Sequence, residues 1–245
     1  MDAIERIVWS ADVADEQAVL GHLGLMPDLR YVKIDRLYTD RHGRFILTDL
    51  RERGFQVFYD AKFVEIPSKL EDLALEALKH KPWMINTMAG TVSNMDMSIY
   101  EKRDLMDGLK RFSDVCLNVG TLPCGVTVLT SKTDETVAAE FNDRSATDQV
   151  LWYVEMLIRA EFTDVVCSPL EVSGIRQRFG DVIDLDTPGV RFADSDADDQ
   201  ARIATPGGAI AMGSTRNIMG RPLHDGWPEE NLARAVQEIA AVQGV

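Results

Sequence analysis

Asp60-Ala-Lys62-Phe-Val-Glu65-Ile-Pro67 is the stretch that indicates both the fold and the chemistry of this chain, and it directly follows the apolar run 55–59. The apolar run is typical of a buried strand, and the charges come where that strand ends. Side chains alternate along a strand, so Asp60 and Lys62 are expected to point to the same side. Because burying an Asp–Lys pair is costly, we interpret it as part of an active site that holds charge in a fixed geometry.

Short apolar runs of this kind recur along the chain and alternate with amphipathic segments. The predicted strands are 7–12, 31–35, 56–62, 84–88, 126–131, 164–168, 182–187 and 216–220. The predicted helices are 15–23, 44–52, 69–79, 99–111, 148–161, 170–178, 208–212 and 229–242. The assignment is weakest over residues 112–125, where 115–119 is an alternative strand and Leu122-Pro-Cys-Gly125 favours a turn.

Eight βα units without a long linker predict an α/β fold of the (β/α)8 TIM barrel type. An open, doubly wound sheet is the alternative. The length of 245 residues suits one barrel, so we expect residues 1–245 to form a single domain.

Composition excludes several classes of partner. The net charge of −14, from 26 basic and 40 acidic residues, argues against nucleic acid and against an anionic membrane. The chain contains no apolar run of membrane-spanning length and begins without a signal-peptide pattern, so we expect a cytoplasmic protein. The three cysteines have no metal-ligand spacing and are expected to be buried thiols. The four histidines are scattered in surface-like contexts, so neither a zinc site nor a serine-type catalytic triad is expected.

Polar residues lie at the carboxyl ends of the predicted strands, where barrels of this type carry their active sites. They come from seven of the eight units: Asp12, Lys33, Asp60, Lys62, Thr130, Ser168, Arg191 and Arg221. Placement of so many polar groups on one rim indicates a common ligand rather than a merely solvated edge.

Three segments near the carboxyl terminus predict a phosphate site: Thr187-Pro-Gly-Val-Arg191, residues 200–206 and Gly220-Arg221-Pro222. In such barrels the loops after strands seven and eight often bind phosphate, and arginine can hold it through two parallel hydrogen bonds. The intervening segment 187–205, with its acidic stretch 194–199, is expected to close over the ligand.

At this point the sequence resembles the orotidine 5′-phosphate decarboxylase family over about residues 7–223. The family pattern Asp-x-Lys-x-x-Asp-Ile-Pro-x-Thr corresponds to Asp60-Ala-Lys62-Phe-Val-Glu65-Ile-Pro67-Ser-Lys69. Further matching pieces, in order, are Ser-Ala-Asp12-Val, Val-Lys33, Val-Thr-Val-Leu-Thr130-Ser, Val-Val-Cys-Ser-Pro169, Thr-Pro-Gly-Val-Arg191, Asp-Gln200-Ala-Arg-Ile-Ala-Thr-Pro206 and Gly220-Arg221-Pro.

The resemblance implies a cofactor-free carboxy-lyase that acts on a phosphorylated pyrimidine nucleotide. Lys62 would protonate the carbon, Asp60 would lie against the departing carboxylate, and Lys33 and Glu65 would complete the charged network. Glu65 would enter from a second subunit, which implies a homodimer with shared active sites. The implied substrate contacts are Asp12 and Lys33 at the ribose, Thr130 at the pyrimidine, Arg191, Gln200, Gly220 and Arg221 at the phosphate, and Ser168 and Pro188 within the matching pieces.

Departures from the family pattern cluster near the sugar and base end. Glu65 replaces an aspartate, Lys69 a threonine, and Asp35 the glycine of a Lys-x-Gly motif, while the usual histidine after strand four is missing from Asn86-Thr-Met-Ala. Two alternatives therefore stay open beside orotidine 5′-phosphate decarboxylation. One is a relative that acts on another phosphorylated nucleoside or sugar, and the other is a non-catalytic nucleotide-binding protein.

Overall fold

Eight parallel strands pair in chain order and close into a barrel in the computed structural model of the chain. The structure describes residues 1–13, 15–90, 99–141, 143–194 and 204–244, except for the side chains of 99–102 and 104. The strands are β1 Ile7–Ser10, β2 Tyr31–Asp35, β3 Gln56–Phe63, β4 Met84–Met88, β5 Leu122–Val126, β6 Asp164–Val166, β7 Asp184–Thr187 and β8 Arg216–Met219. Pairing of β1 with β8 confirms the predicted (β/α)8 barrel and excludes the open sheet.

Helices surround the barrel and follow the strands. In chain order they are α1 Glu16–Leu25, α2 Arg36–His42, α3 Phe45–Glu52, α4 Pro67–Leu78, α5 Ile99–Leu117, α6 Asp134–Glu140, α7 Ala146–Arg159, α8 Pro169–Phe179, α9 Pro206–Ala211, α10 Arg221–His224 and α11 Pro228–Gln243. The sequence analysis did not predict α2, α6 or α10. Each of these helices has at most seven residues, so its apolar periodicity extends over two turns at most.

The core has two layers. Inside the barrel, inward-facing side chains from several strands pack together, among them Val8, Phe58, Val126 and Ile218. A larger layer lies between the outer faces of the strands and the helices, and there Trp9 is fully buried. The inner layer packs the barrel below its carboxyl end, and its residues Phe58, Val126 and Ile218 also line the cavity at the mouth.

The predicted strand at 126–131 is wrong. β5 is Leu122–Val126, and its residues pair with β4 from Met84↔Leu122 to Met88↔Val126. Proline and glycine within Leu122-Pro-Cys-Gly125 had indicated a turn, but this barrel accommodates Pro123 opposite Ile85. The apolar residues that follow, including the buried Val128, form the loop over the barrel mouth. The alternative strand at 115–119 is also wrong, because α5 extends to Leu117.

A buried charge cluster closes the amino-terminal end of the barrel. Arg216 at the start of β8 donates to Asp164 on β6, to Asp186 on β7 at 2.7 Å and to Asp184 at 3.2 Å. Burial and repulsion from Asp186 raise the pKa of Asp164 to about 8, against the opposing effect of Arg216. Burial likewise raises the pKa of Asp186. The cluster lies at the end of the barrel opposite the mouth, where polar residues serve stability rather than chemistry.

The expectation that all four histidines lie in surface-like contexts is wrong for two of them. The indole Nε1 of Trp9 donates to Nδ1 of His224 at 3.1 Å. His22 packs against the same indole, with ring centroids 5.8 Å apart. His22 belongs to α1 and His224 to α10, so this aromatic cluster joins two helices to β1.

Cys116, Cys124 and Cys167 are buried and free, as predicted. None of the helices in the described parts of the chain combines the length and apolar character needed to cross a membrane. Across the same described residues, no three His, Cys, Asp or Glu side chains converge as a metal site.

Candidate active site

A cavity of about 250 Å³ opens at the carboxyl ends of the strands. Nine of the predicted site residues line it: Asp12, Lys33, Asp60, Lys62, Thr130, Pro188, Arg191, Gly220 and Arg221. They come from β1, β2, β3, β5, β7 and β8 or from the loops that follow these strands. Lys62 therefore shares one cavity with the two arginines that were predicted to bind a distant phosphate.

The floor of the cavity carries charges of alternating sign. The ammonium Nζ of Lys62 donates to both oxygens of Asp60 at 2.6 Å. Lys33 Nζ donates to Asp60 Oδ2 at 2.8 Å and lies 3.8 Å from Asp12 Oδ1. Asp12 Oδ2 in turn accepts from the hydroxyl of Ser10 at 2.9 Å. Each carboxylate lies against an ammonium, and this pairing offsets the cost of burying Asp60 and Lys33.

Burial and ion pairing act in opposite directions on this network. Burial alone would raise the pKa of Asp60, but the nearby ammonium groups of Lys33 and Lys62 outweigh it, and the pKa falls well below its usual range. Burial would lower the pKa of Lys33, but Asp60 and Asp12 outweigh it and raise that pKa. Asp60 and Lys33 are therefore both ionised at neutral pH.

The backbone at the end of β3 departs from a regular strand. Tyr59 pairs with Ile85, and the next pair is Phe63 with Thr87. β3 therefore has more residues between these two pairs than β4 has, which is a β-bulge in β3. Within the bulge Lys62 has a φ of 43°, in the left-handed region that side chains other than glycine rarely adopt. Simple strand alternation predicted the pairing of Asp60 with Lys62 but not this bulge, which turns the lysine toward the mouth.

Asn86 is a site residue that the sequence analysis missed. Its Oδ1 accepts from the backbone N–H of Lys62 and its Nδ2 donates to Asp60 Oδ1, both at 2.7 Å. The amide is fully buried on β4. The available signal was a single amide within the apolar run of β4, where a buried polar group requires partners.

The opposite wall of the cavity is built by the loops after β7 and β8. Gly189 has a φ of 74°, and the backbone of Arg191 then pairs with Ala204, its N–H donating at 2.9 Å. This pairing holds the buried Arg191 against the cavity. At Gly220 a Cβ would lie 3.0 Å from Asp12 Oδ2, so a side chain there would displace the carboxylate.

Two predicted site residues that the structure describes are not among those that line the cavity. Ser168 caps α8, where its hydroxyl accepts from Leu170 N–H and Glu171 accepts from the Ser168 N–H at 2.7 Å. Glu65 is exposed beyond the end of β3. Gln200 lies outside the described residues, as does the rest of 195–203 within the predicted closing segment.

Two departures from the family pattern have local structural explanations. Asp35 begins α2, because its Oδ1 accepts from the N–H of Tyr38 at 2.7 Å. Lys69 pairs with Asp72 at 3.0 Å on the exposed surface of α4. Asp35 is therefore the N-cap of α2, and Lys69 is not among the residues that line the cavity.

Comparisons with known proteins give a consistent result. The model of the "Orotidine 5'-phosphate decarboxylase / HUMPS family" matches residues 5–235. A curated protein named "Orotidine 5'-phosphate decarboxylase" from Prochlorococcus marinus is 32% identical over 237 residues, covering 96% of each chain. One of the same name from Laribacter hongkongensis is 34% identical over 81% of this chain and 77% of its own. The crystal structure of orotidine 5'-phosphate decarboxylase from Lactobacillus acidophilus superimposes with a TM-score of 0.76 at 26% identity, covering 96% of this chain and 99% of its own.

Proposed function

Because the chain belongs to the orotidine 5'-phosphate decarboxylase / HUMPS family, we propose that it converts orotidine 5′-phosphate to uridine 5′-phosphate. The observation that carries the proposal is the contact of Lys62 Nζ with both oxygens of Asp60 at 2.6 Å, in a cavity that Arg191 and Arg221 also line. The enzyme would then be a carbon–carbon lyase of pyrimidine synthesis.

The reaction breaks the bond between C6 of the pyrimidine and its carboxylate. Carbon dioxide leaves, the electron pair stays on C6, and the ring delocalises that charge poorly. An ammonium fixed beside C6 stabilises the developing carbanion and then supplies its proton. Lys62 has this role in the proposal, and its proton moves from Nζ to C6.

Asp60 faces the substrate carboxylate in this arrangement. Because the pKa of Asp60 is strongly depressed by the two lysines, it is an anion when the substrate binds. Repulsion between the two carboxylates disfavours the bound ground state and is relieved when carbon dioxide leaves. Lys33 keeps Asp60 ionised and in place at 2.8 Å.

The chemistry requires no cofactor in this proposal. The carboxylate of Asp60 already accepts hydrogen bonds from Lys33, Lys62 and Asn86. The two ammonium groups supply positive charge where another enzyme would use a metal ion, and the neutral amide of Asn86 adds a hydrogen bond. The side chains of the barrel would therefore provide the whole electrostatic environment.

The rest of the cavity would bind the nucleotide. Asp12 and Lys33 suit the ribose hydroxyls, and Thr130 lies on the loop after β5 that would contact the pyrimidine. The phosphate would bind near Arg191, Gly220 and Arg221, with the loop residue Pro188 beside it. Its binding energy then holds C6 against Lys62 even though the phosphate does not react.

We also propose that the enzyme is a homodimer with shared active sites. Glu65 is exposed and is not among the residues that line its own cavity, and its neighbours Val64 and Ile66 are 53% and 63% exposed. Two exposed apolar residues beside an exposed carboxylate suit a surface that a second copy covers. Glu65 would thereby reach the partner's Lys62.

Mixed dimers test this arrangement. Lys62→Ala and Glu65→Ala homodimers should each be inactive, but exchange of subunits creates heterodimers in which one site has both residues intact. The mixture should recover about a quarter of wild-type activity if the sites are shared. Absence of recovery, with subunit exchange demonstrated by mass, would contradict the shared site.

The activity itself is tested by incubating the protein with orotidine 5′-phosphate and following the loss of its ultraviolet absorbance. Turnover supports the proposal. Glu65 and Lys69 motivate the remaining alternative, a different phosphorylated nucleoside or sugar as substrate. Tight binding of uridine 5′-phosphate without turnover would favour that alternative or a non-catalytic binding protein, and would refute the proposed reaction.

A further inference from the structure

Asn86 lies beside Asp60 and Lys62, the two residues of the proposed reactive ion pair. It is fully buried at the centre of β4, next to the bulge of β3. One end of its amide accepts from the Lys62 N–H and the other donates to Asp60, each at 2.7 Å. It therefore contacts both partners of the ion pair without lining the cavity itself.

The two contacts need different chemistry at the two ends of one side chain. The backbone of Lys62 presents a donor and therefore requires an acceptor, while Asp60 is an anion and requires a donor. A carboxamide provides both an acceptor and a donor. If the amide were reversed, its oxygen would face the Asp60 carboxylate and its NH₂ group would face the Lys62 N–H, and both contacts would be repulsive. The network thus determines the orientation of the Asn86 amide.

The contact to Lys62 also explains how its unusual backbone is held. With a φ of 43°, Lys62 lies in a region that costs about 1 kcal/mol or more for a residue with a side chain. Its N–H has left the regular ladder at the bulge and is instead bonded to Asn86. This bond fixes the direction in which the lysine side chain leaves the strand.

We propose that Asn86 is a positioning residue, which sets the place of the Lys62 ammonium through its backbone and keeps Asp60 oriented and ionised. The role rests on the proposed function, since the reaction it serves is the proton transfer from Lys62. Asn86 does not touch the substrate. Its loss should therefore affect the chemical step and leave nucleotide binding nearly intact.

The Asn86→Leu variant has nearly the same side-chain volume but forms neither hydrogen bond. Displacement of the ammonium by about 1 Å should lower kcat about 100-fold. KM should change less than about threefold, because the proposed phosphate and ribose contacts are unaltered.

The Asn86→Asp variant keeps the acceptor for Lys62 N–H but places a second carboxylate beside Asp60. Repulsion raises the pKa of Asp60, so the acidic limb of the kcat profile should move to higher pH. A carboxylate introduced at a buried strand position that does not face Asp60 would give no such movement.

Asn217 is the matched control, since it is also a fully buried asparagine on a barrel strand. Its Nδ2 donates to the carbonyl of Pro206 at 2.9 Å, and it does not line the cavity. Asn217→Leu and Asn217→Asp should lower stability but leave the ratio of kcat to KM and the pH profile of the folded fraction unchanged.

Binding of uridine 5′-phosphate confirms that each variant is folded, and nuclear magnetic resonance of labelled lysine provides a readout besides activity. In Asn86→Leu the chemical shift of the Lys62 signal should change, whereas Asn217→Leu should leave the signal unmoved. Unchanged kcat and an unchanged Lys62 signal in Asn86→Leu would overturn the proposal. If the wild type fails to decarboxylate orotidine 5′-phosphate, the proposed function fails, and the resonance comparison still decides the role of Asn86.

Discussion

Replacing Asp164 with asparagine should make the stability of the protein less dependent on pH. Asp164 and Asp186 are both buried, and they share the single guanidinium of Arg216. Oδ2 of Asp186 has no hydrogen-bond partner. Two buried carboxylates with one cation between them favour retention of a proton, and the pKa of Asp164 is raised to about 8 from an ordinary value of 3.8.

The sign and size of the pH effect on stability follow from proton linkage. Between the two pKa values, the folded protein binds one proton more than the unfolded chain. The stability from this group is complete below the ordinary pKa of 3.8 and is lost progressively as the pH rises to the folded pKa of about 8. The free energy of unfolding should fall by about 1.4 kcal/mol per pH unit, or about 4 kcal/mol between about pH 5 and about pH 8.

Asparagine mimics the protonated acid, because its oxygen still accepts from Arg216 while its amide carries no charge. Urea denaturation of the wild type and Asp164→Asn at a series of pH values measures the difference. The variant should come closest to the wild type at about pH 4 and should exceed its stability by a growing margin up to about pH 8. The exposed Asp181→Asn variant controls for the change in net charge. A difference between variant and wild type that does not depend on pH would refute the reasoning.

Three further substitutions test separate parts of the structure. Gly220→Ala places a Cβ 3.0 Å from the carboxylate of Asp12, and the resulting displacement should raise KM for orotidine 5′-phosphate about tenfold in steady-state assays. Trp9→Phe removes the indole donor to His224 and should cost about 1 kcal/mol in urea denaturation at pH 7; an unchanged midpoint would contradict it. Asp35→Ala removes the cap of α2 and should cost about 1 kcal/mol by the same measurement, with Asp35→Asn retaining most of the stability.

The barrel could be predicted from the sequence because its strands are short apolar runs separated by helical patterns. Seven of the eight predicted strands overlap the observed ones throughout most of their length. The exception is β5, which contains Pro123 and Gly125. Proline and glycine usually indicate turns, and only the pairing with the neighbouring strands shows that β5 tolerates them. The short helices α2 and α10 lack the periodicity on which such a prediction depends.

The candidate site was predictable where a residue type and its position at a strand end carried the information. Asp60, Lys62 and Lys33 are of this kind. The bulge at Lys62 was not, because it depends on the register between β3 and β4. Asn86 and Arg216 depend on partners far away in sequence, such as Asp60, which is 26 residues from Asn86.

The central claim is that the Lys62 ammonium, held against Asp60, gives its proton to the substrate. Turnover of orotidine 5′-phosphate and binding of uridine 5′-phosphate, measured on wild type and Lys62→Ala in the same preparations, test this most directly. We expect the variant to bind the product but to lose at least about 1000-fold in kcat, since both the proton donor and its charge are removed. Turnover by Lys62→Ala at a rate close to that of the wild type would contradict the account.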